Sequence, residues 1–148
     1  MNQFVSDIGN IFLARDGKRR RVSSYDRSGG NDDRLTIPAG EKRTIADISG
    51  CGIITHIWIT VADRTSGKGQ NEMRKIVLRM YWDGEETPSV EAPLGDFFGM
   101  GHGKCKNFVS VPLQMSPEDG RGLNSWWPMP FRRRARIEAV SYTHLTLP

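Results

Sequence analysis

The spacing of hydrophobic positions along this chain changes from a helical period near the start to an alternating one later. Five apolar residues near the start recur at helical spacing: Phe4, Val5, Ile8, Ile11 and Phe12. This spacing predicts one amphipathic helix from Phe4 to Ala14. From Leu35 onward, short runs rich in β-branched and aromatic residues alternate with polar turns, which is typical of strands.

The strand pattern is found in several segments of the second part of the chain. They are Arg43–Ile48, Ile53–Val61, Arg74–Asp83, Ser89–Pro93, Phe108–Leu113 and Arg132–Ala139. Asp83-Gly84 suits the positive φ angles of a tight hairpin turn. Repeated strands and turns with little helical pattern after residue 15 predict an all-β, jelly-roll β-sandwich preceded by a short N-terminal helix.

A dense polar stretch lies between the predicted helix and the first strand. Ser23–Arg34 combines carboxylates, guanidinium groups, an amide, a phenol and hydroxyls around Gly29-Gly30, and it follows neither period. One interpretation is a solvated surface loop. The other is a ligand-binding loop, because Asp, Asn and Arg beside an aromatic ring suit a polyhydroxylated ligand.

Two later stretches also carry unusual chemistry. Leu94–Lys104 places Asp96, two phenylalanines and His102 among four glycines, which predicts a sharply turning loop that faces a ligand. It lacks the ending of a nucleotide-binding loop and no helical pattern follows it. Leu123–Phe131 contains Trp126-Trp127 and two prolines, so it is expected at a sheet edge or in an irregular segment. Its indoles suit sugar stacking, and core packing of one ring is an equal alternative.

Charge and cysteine content exclude few classes of function. The net charge of +4 comes largely from two short basic clusters, Lys18–Arg21 and Arg132–Arg136. Solvated or interface arginines are favoured over nucleic-acid contacts, because Glu138 is close by. Cys51 and Cys105 are expected to be buried free thiols rather than a disulfide or metal ligands. His56 is expected to be a half-buried histidine bonded to a neighbour, on the same strand face as Trp58.

The two ends of the chain set the expected domain limits. Neither a signal peptide nor a transmembrane segment is indicated, so the cytoplasm is the expected location. Ser141–Pro148 resembles a translated sequencing adapter and is expected to be a non-native tail. The predicted divisions are residues 1–22 for the helix and connector, 23–140 for a truncated jelly-roll domain, and 141–148 for the tail.

Five blocks in order resemble glycoside hydrolase family 172, from about residue 4 to residue 140. They are Ser23–Asp33, Gly52–Trp58, Leu78–Glu85, Pro93–Gly99 and Ser125–Phe131. The resemblance implies the first of two tandem jelly rolls, a homotrimer or hexamer when full length, and retaining hydrolysis of α-D-fructofuranosides or α-D-arabinofuranosides. It also implies two catalytic glutamates about 5 Å apart, expected outside this chain, so that this fragment alone is inactive.

The resemblance further implies a substrate-binding role for residues in the three polar and aromatic stretches. They are Asp26, Arg27, Asn31, Asp32, Asp33, Asp96, Phe97, Trp126 and Trp127. The catalytic residues stay unknown, and Glu85, Glu86 and Glu91 are not assigned to catalysis. The expected partner is a furanose-containing oligosaccharide, with no cofactor, metal, nucleic acid or membrane. The alternative function is a non-catalytic carbohydrate-binding or assembly module.

Overall fold

The computed structural model describes residues 16–61 and 72–142 of the chain, and nearly all of its regular structure is antiparallel β-sheet. The all-β class is therefore confirmed. The helix expected at Phe4–Ala14 lies outside the described residues. The chain divides into two units, Met1–Arg34 and Leu35–Pro148, and all the strands described below belong to the second.

Ten strands and three short helical segments make up the regular structure of the described residues. The strands are β1 (Lys42–Ser49), β2 (Gly52–Ile54), β3 (Ile57–Ile59), β4 (Ile76–Trp82), β5 (Val90–Pro93), β6 (Phe108–Val109), β7 (Leu113–Met115), β8 (Leu123–Ser125), β9 (Met129–Phe131) and β10 (Arg134–Ser141). The helix α1 (Leu94–Phe97) is accompanied by two 3₁₀ turns, Glu72–Arg74 and Gly101–Gly103. None of the helices in the described part of the chain is long and apolar enough to span a membrane.

The strands form two four-stranded sheets and one separate pair. The first sheet has the order β1-β10-β4-β5, and the second has the order β3-β8-β7-β6. The separate pair is β2-β9. Every pairing is antiparallel, and many neighbours in the sheets are distant in sequence. Long-range pairing of this kind is characteristic of sandwiches.

Both four-stranded sheets contribute side chains to one hydrophobic core. Leu78 and Met80 of β4 face it from the first sheet, and Met115 and Leu123 face it from the second. All four side chains are almost completely buried. Phe98, immediately after α1, is also fully buried in this cluster. Apolar faces of two sheets packed on one another make this an all-β sandwich.

The turn after β4 has the predicted positive φ angles but lies within a longer connection to β5, because the pair nearest to it is Met80 with Val90. Asp83 and Gly84 have φ angles of 55° and 93°, and the Glu85 N–H donates to the Trp82 carbonyl at 2.9 Å. These angles fall in the left-handed region that Asp-Gly tolerates.

The Asp83 side chain joins this turn to the start of β10. Its Oδ1 accepts the backbone N–H groups of Arg132, Arg133 and Arg134 at 2.8, 2.6 and 3.2 Å. The Asp83 N–H in turn donates to the Arg134 carbonyl at 2.8 Å. The Arg133 N–H is the largest cause that lowers the pKa of Asp83. We call Asp83 with Arg132–Arg134 the Asp83 corner.

The arginines expected to be solvated or at an interface differ in exposure: Arg132, Arg133 and Arg134 are exposed, and Arg136 is half-buried. β10 lies inside the first sheet between β1 and β4, so its side chains are largely buried. Arg134 pairs with Asp47 at 2.6 Å, and the Arg136 guanidinium bonds to Glu138 and lies 3.9 Å from the centre of the Tyr81 ring. These arginines are thus neutralised within the sheet.

Two predicted strands are each divided into two shorter ones, so those predictions are wrong. Ile53–Val61 becomes β2 and β3, which pair with β9 and β8 respectively. Phe108–Leu113 turns back on itself, where the Ser110 N–H donates to the Leu113 carbonyl at 2.8 Å. A run of β-branched residues does not show where a chain bends to join another partner strand.

The structure differs in part from the expectations for two loop segments and for the cysteines. The edge position expected for Leu123–Phe131 is wrong for β8, which lies between β3 and β7, whereas the Trp126–Pro128 link is irregular as expected. Leu94–Lys104, predicted to be a loop, begins with α1. Both cysteines are free as predicted, but Cys51 is exposed and Cys105 is half-buried.

The chain continues in the first sheet beyond the domain end expected at residue 140. β10 includes Ser141, whose N–H donates to the Glu41 carbonyl at 2.8 Å. The Tyr142 hydroxyl accepts a hydrogen bond of 2.8 Å from Arg79. The predicted domain limits stay predictions.

Leu78→Ala should destabilise the domain strongly, because this side chain is fully buried between the sheets. We expect the free energy of unfolding to fall by about 3 kcal/mol. Urea unfolding followed by tryptophan fluorescence measures it, with Val109→Ala as the control. Val109 is 75% exposed, and its truncation should change the free energy by less than about 0.5 kcal/mol. Equal effects of the two substitutions would contradict this core.

Candidate functional site

The loop Ser23–Arg34, in the first unit, is organised by the carboxylate of Asp26. Asp26 Oδ1 accepts the Ser28 N–H at 2.8 Å and the Ser28 hydroxyl at 2.7 Å, while Oδ2 accepts the Asp32 N–H at 3.3 Å. The Ser28 hydroxyl is the largest cause that lowers the pKa of Asp26. A side chain at Gly30 would place its Cβ 2.7 Å from Asp26 Oδ2, so a larger residue there would displace the Asp26 carboxylate.

The other two aspartates of the loop are also engaged locally. Asp33 Oδ1 accepts the Asp26 N–H at 2.7 Å, and the Asp33 carbonyl accepts the Ser24 hydroxyl at 2.8 Å. Asp32 forms an ion pair with Arg34. Bonds of this kind hold a short polar loop in one shape without a hydrophobic core.

Arg27 and Asn31 are the predicted residues of the loop whose side chains stay open to a ligand. Both are exposed, and neither side chain bonds to another residue of the ranges 16–61 and 72–142. Asn31 has a φ angle of 64°, a conformation that Asn tolerates better than most residues. The loop therefore presents a guanidinium and an amide on a frame built by its carboxylates.

In the second unit, Trp126 is held against His56. The two rings are stacked with their centroids 5.1 Å apart and their planes 13° from parallel. His56 Nε2 donates to Asn124 Oδ1 at 3.0 Å. The backbone N–H of Trp126 donates to the Pro112 carbonyl at 2.8 Å. Trp126 is half-buried in this arrangement. The expectation that His56 is satisfied by a neighbour is confirmed, although the ring is exposed rather than half-buried.

A row of three side chains crosses the outer face of the second sheet next to this stack. Trp58 of β3 pairs with Asn124 of β8, which pairs with Gln114 of β7. Side chains that pair directly across strands share one face. Trp58 is 59% exposed, whereas Asn124 and Gln114 are half-buried, and the Gln114 amide donates to the Ser116 hydroxyl. We call Trp58, Asn124 and Gln114 the Trp58 row.

Gly122 permits the backbone of Ser116 to approach closely beside the indole of Trp58. A Cβ at Gly122 would be 2.5 Å from the Ser116 carbonyl oxygen and 3.5 Å from Trp58 Nε1. The Ser116 and Gly122 backbones also bond to each other in both directions, at 3.0 and 3.1 Å. Only a residue without a side chain fits there.

The remaining predicted residues are in different surroundings. Trp127 is 49% exposed. Asp96, in α1, pairs with Arg74 at 3.0 Å. Phe97 is half-buried against the core cluster and makes an edge contact with Phe98, their centroids 5.0 Å apart. The structure thus joins Trp126 to His56 and Asn124, whereas Asp96 and Phe97 contact other residues, and the substrate-binding roles stay predictions.

A family model described as GH172 domain-like matches residues 30–146 of the chain. The chain belongs to this family. The resemblance to this family is confirmed over a range that includes four of the five blocks and the end of the first, and the function of the chain is related to glycoside hydrolysis. A comparison with curated proteins found no match. Of the predicted substrate-binding residues, only Asp26 and Arg27 precede the matched range.

The glutamates discussed above differ in their hydrogen-bond and ion-pair partners in this GH172 domain. Glu85 accepts a hydrogen bond from the Ser89 hydroxyl, and Glu91 pairs with Arg79 at 3.2 Å. Glu86 is exposed. Glu138 is 3% exposed and bonds to Arg136. Within the described ranges, no group of three or more His, Cys, Asp or Glu side chains is arranged to hold a metal ion.

The sequence reasoning missed Asn124 and Gln114 as possible members of the site. Asn124 joins the row by pairing with Trp58, a residue distant in sequence, and Gln114 joins it by pairing with Asn124. The local signal was the alternation in Leu123–Ser125, which places Asn124 on the face opposite two buried neighbours.

The Asp26 loop should lose its internal bonds in acid. The ionised carboxylate accepts these bonds, so its folded pKa lies below the usual 3.8. The contribution to stability is fully present above pH 3.8 and is lost as the pH falls through the lowered pKa. We expect the Ser28 amide signal in NMR spectra to titrate with a midpoint below 3.8.

Asp26→Asn is the matched control for this titration, because it keeps the shape of the side chain and removes its ionisation. The Ser28 amide of this variant should show no such step. A wild-type midpoint at or above 3.8 would contradict the bonds assigned to Asp26.

Proposed function

We propose that this chain is the N-terminal part of a retaining glycoside hydrolase that acts on α-D-fructofuranosides or α-D-arabinofuranosides. In this proposal the chain itself binds the furanose, and the catalytic glutamates belong to a second domain. Membership of the GH172 family supports the class of reaction. The choice of furanoside comes from the resemblance of the five sequence blocks.

The observation that carries the binding role is the exposure of two indoles in the second unit. Trp58, in β3, and Trp127, in the irregular link after β8, are 59% and 49% exposed, although side chains of this size usually bury most of their surface. The C–H face of a sugar ring packs well on an indole, whose own N–H remains free to bond. Exposed indoles on a sandwich therefore suit a carbohydrate.

The polar groups beside these rings suit the hydroxyls of the same ligand. Asn124 and Gln114 carry both donors and acceptors, as a sugar hydroxyl does. His56 fixes Asn124 through the 3.0 Å hydrogen bond to Oδ1, so the amide is oriented before a ligand arrives. Preorganised polar groups reduce the entropy cost of binding.

The alternative function, a non-catalytic carbohydrate-binding or assembly module, is favoured by the state of the glutamates. Glu91 and Glu138 are paired with arginines, and Glu85 bonds to Ser89. A retaining pair needs one ionised nucleophile and one protonated acid facing the same bond. Both functions predict binding by this chain, and only the first predicts hydrolysis by the protein that contains it.

Trp58→Ala and Trp127→Ala should each weaken binding of difructose dianhydride. Loss of one stacking face removes about 1 kcal/mol, which raises Kd about fivefold. Isothermal titration calorimetry of the purified chain measures this effect. Val111→Ala is the control, because Val111 is 90% exposed yet has no ring to stack.

Circular dichroism of all three variants shows whether the fold is kept. Absence of binding by the folded wild-type chain would contradict the proposal. So would an unchanged Kd in both tryptophan variants.

A further inference from the structure

A cavity of about 330 Å³ opens beside the turn that follows α1. Its volume is at the lower end of the range for small-molecule sites. Its lining contains none of the predicted substrate-binding residues, and it includes Met100, His102 and Met115. The cavity is therefore a candidate site separate from the Trp58 row.

The floor of the cavity is apolar. Met100 and Met115 are 5% and 1% exposed, and the half-buried ring of Phe108 lies beside them. Gly99 has a φ angle of 85°, and a Cβ there would lie 2.8 Å from Cζ of Phe108. Glycine at this position lets the phenyl ring reach the floor. A flat or branched apolar group of a ligand would be well accommodated on this surface.

The rim of the cavity is basic. His102, Lys104 and Lys106 all line it. Lys104 has extended backbone angles, with φ −107° and ψ 124°. Alternate residues of an extended segment lie on one side, so Lys104 and Lys106 share a side, and Cys105 between them packs against the core cluster.

The charge of this rim is not balanced within the described part of the chain. Arginines elsewhere in the same unit pair with carboxylates, as Arg79 does with Glu91 and Arg134 with Asp47. Lys104 and Lys106 form no ion pair with a residue of the ranges 16–61 and 72–142, and the residues that line the cavity include no Asp or Glu. Clefts lined by one sign of charge concentrate ligands of the opposite sign.

We propose that this cavity binds a small molecule that joins one anionic group, a phosphate or a carboxylate, to a compact apolar body. The anionic group lies between Lys104 and Lys106 at the rim, and the apolar body lies on Met100, Phe108 and Met115. Neither the anionic group nor the apolar body alone would bind tightly, because exposed lysines bind anions weakly and the apolar floor is small. The proposal is independent of the furanoside-binding role.

Phenyl phosphate is the probe, with inorganic phosphate and phenol as its two halves. The chain is labelled with ¹³C at the methionine methyl groups and titrated in NMR experiments. We expect phenyl phosphate to shift the Met100 and Met115 signals saturably, with a Kd at least about fivefold lower than that of either half. Raising the salt concentration to about 0.5 M should weaken this binding, because the rim is exposed.

Lys104→Ala/Lys106→Ala should raise the Kd for phenyl phosphate about tenfold. Arg43→Ala/Arg132→Ala changes the net charge by the same amount at residues that do not line the cavity, and it should leave the Kd unchanged. Thermal unfolding of both double variants verifies that they are folded. Equal binding of phenol and phenyl phosphate, an unchanged Kd in the lysine variant, or shifts confined to other methionines would each overturn the proposal.

Discussion

The Asp83 corner is the constraint on which the described sandwich depends. One carboxylate oxygen accepts three successive N–H groups, those of Arg132, Arg133 and Arg134, across 49 to 51 residues of chain. Such a convergence satisfies three backbone donors at the point where β9 ends and β10 begins. It also sets the register of β10 against β4, in which Ala135 faces Trp82. Since β10 lies between β1 and β4, this register is transmitted to most of the first sheet.

The same corner links the first sheet to the aromatic surface. β9 leads into it and pairs with β2, where Gly52 faces Phe131. A Cβ at Gly52 would lie 2.9 Å from Cζ of that ring, so the pair is closely packed. His56 lies between β2 and β3, and Trp126 lies between β8 and β9, so the ring stack connects this small pair of strands with the second sheet. The site surface thus depends on backbone bonds made outside it.

The alternation of residues predicted the fold class well, because half-buried strands such as β4 show their period directly in sequence. Asp83-Gly84 predicted its turn for a similar reason, since the φ angles required are local. The Trp58 row could not be predicted in the same way. Trp58 of β3 pairs with Asn124 of β8, and pairing between strands so distant in sequence has no local signal. The break at Thr55-His56 was missed because β-branched residues fit both a continuous strand and two short ones. The Trp126-Trp127 pair was found from composition, whereas the stacking partner His56 required the fold.

The central claim is that the Asp83 corner positions the aromatic surface, and the NMR signals of the Trp126 and Trp127 indole N–H groups test it most directly. They are compared at neutral pH between wild type and Asp83→Asn, which removes the charge that strengthens the three backbone bonds. Asp47→Asn is the control, because Asp47 bonds to the Arg134 side chain but to none of these backbone groups. The account predicts that the indole signals move in Asp83→Asn and stay in place in Asp47→Asn. Unmoved indole signals in a folded Asp83→Asn variant would contradict it.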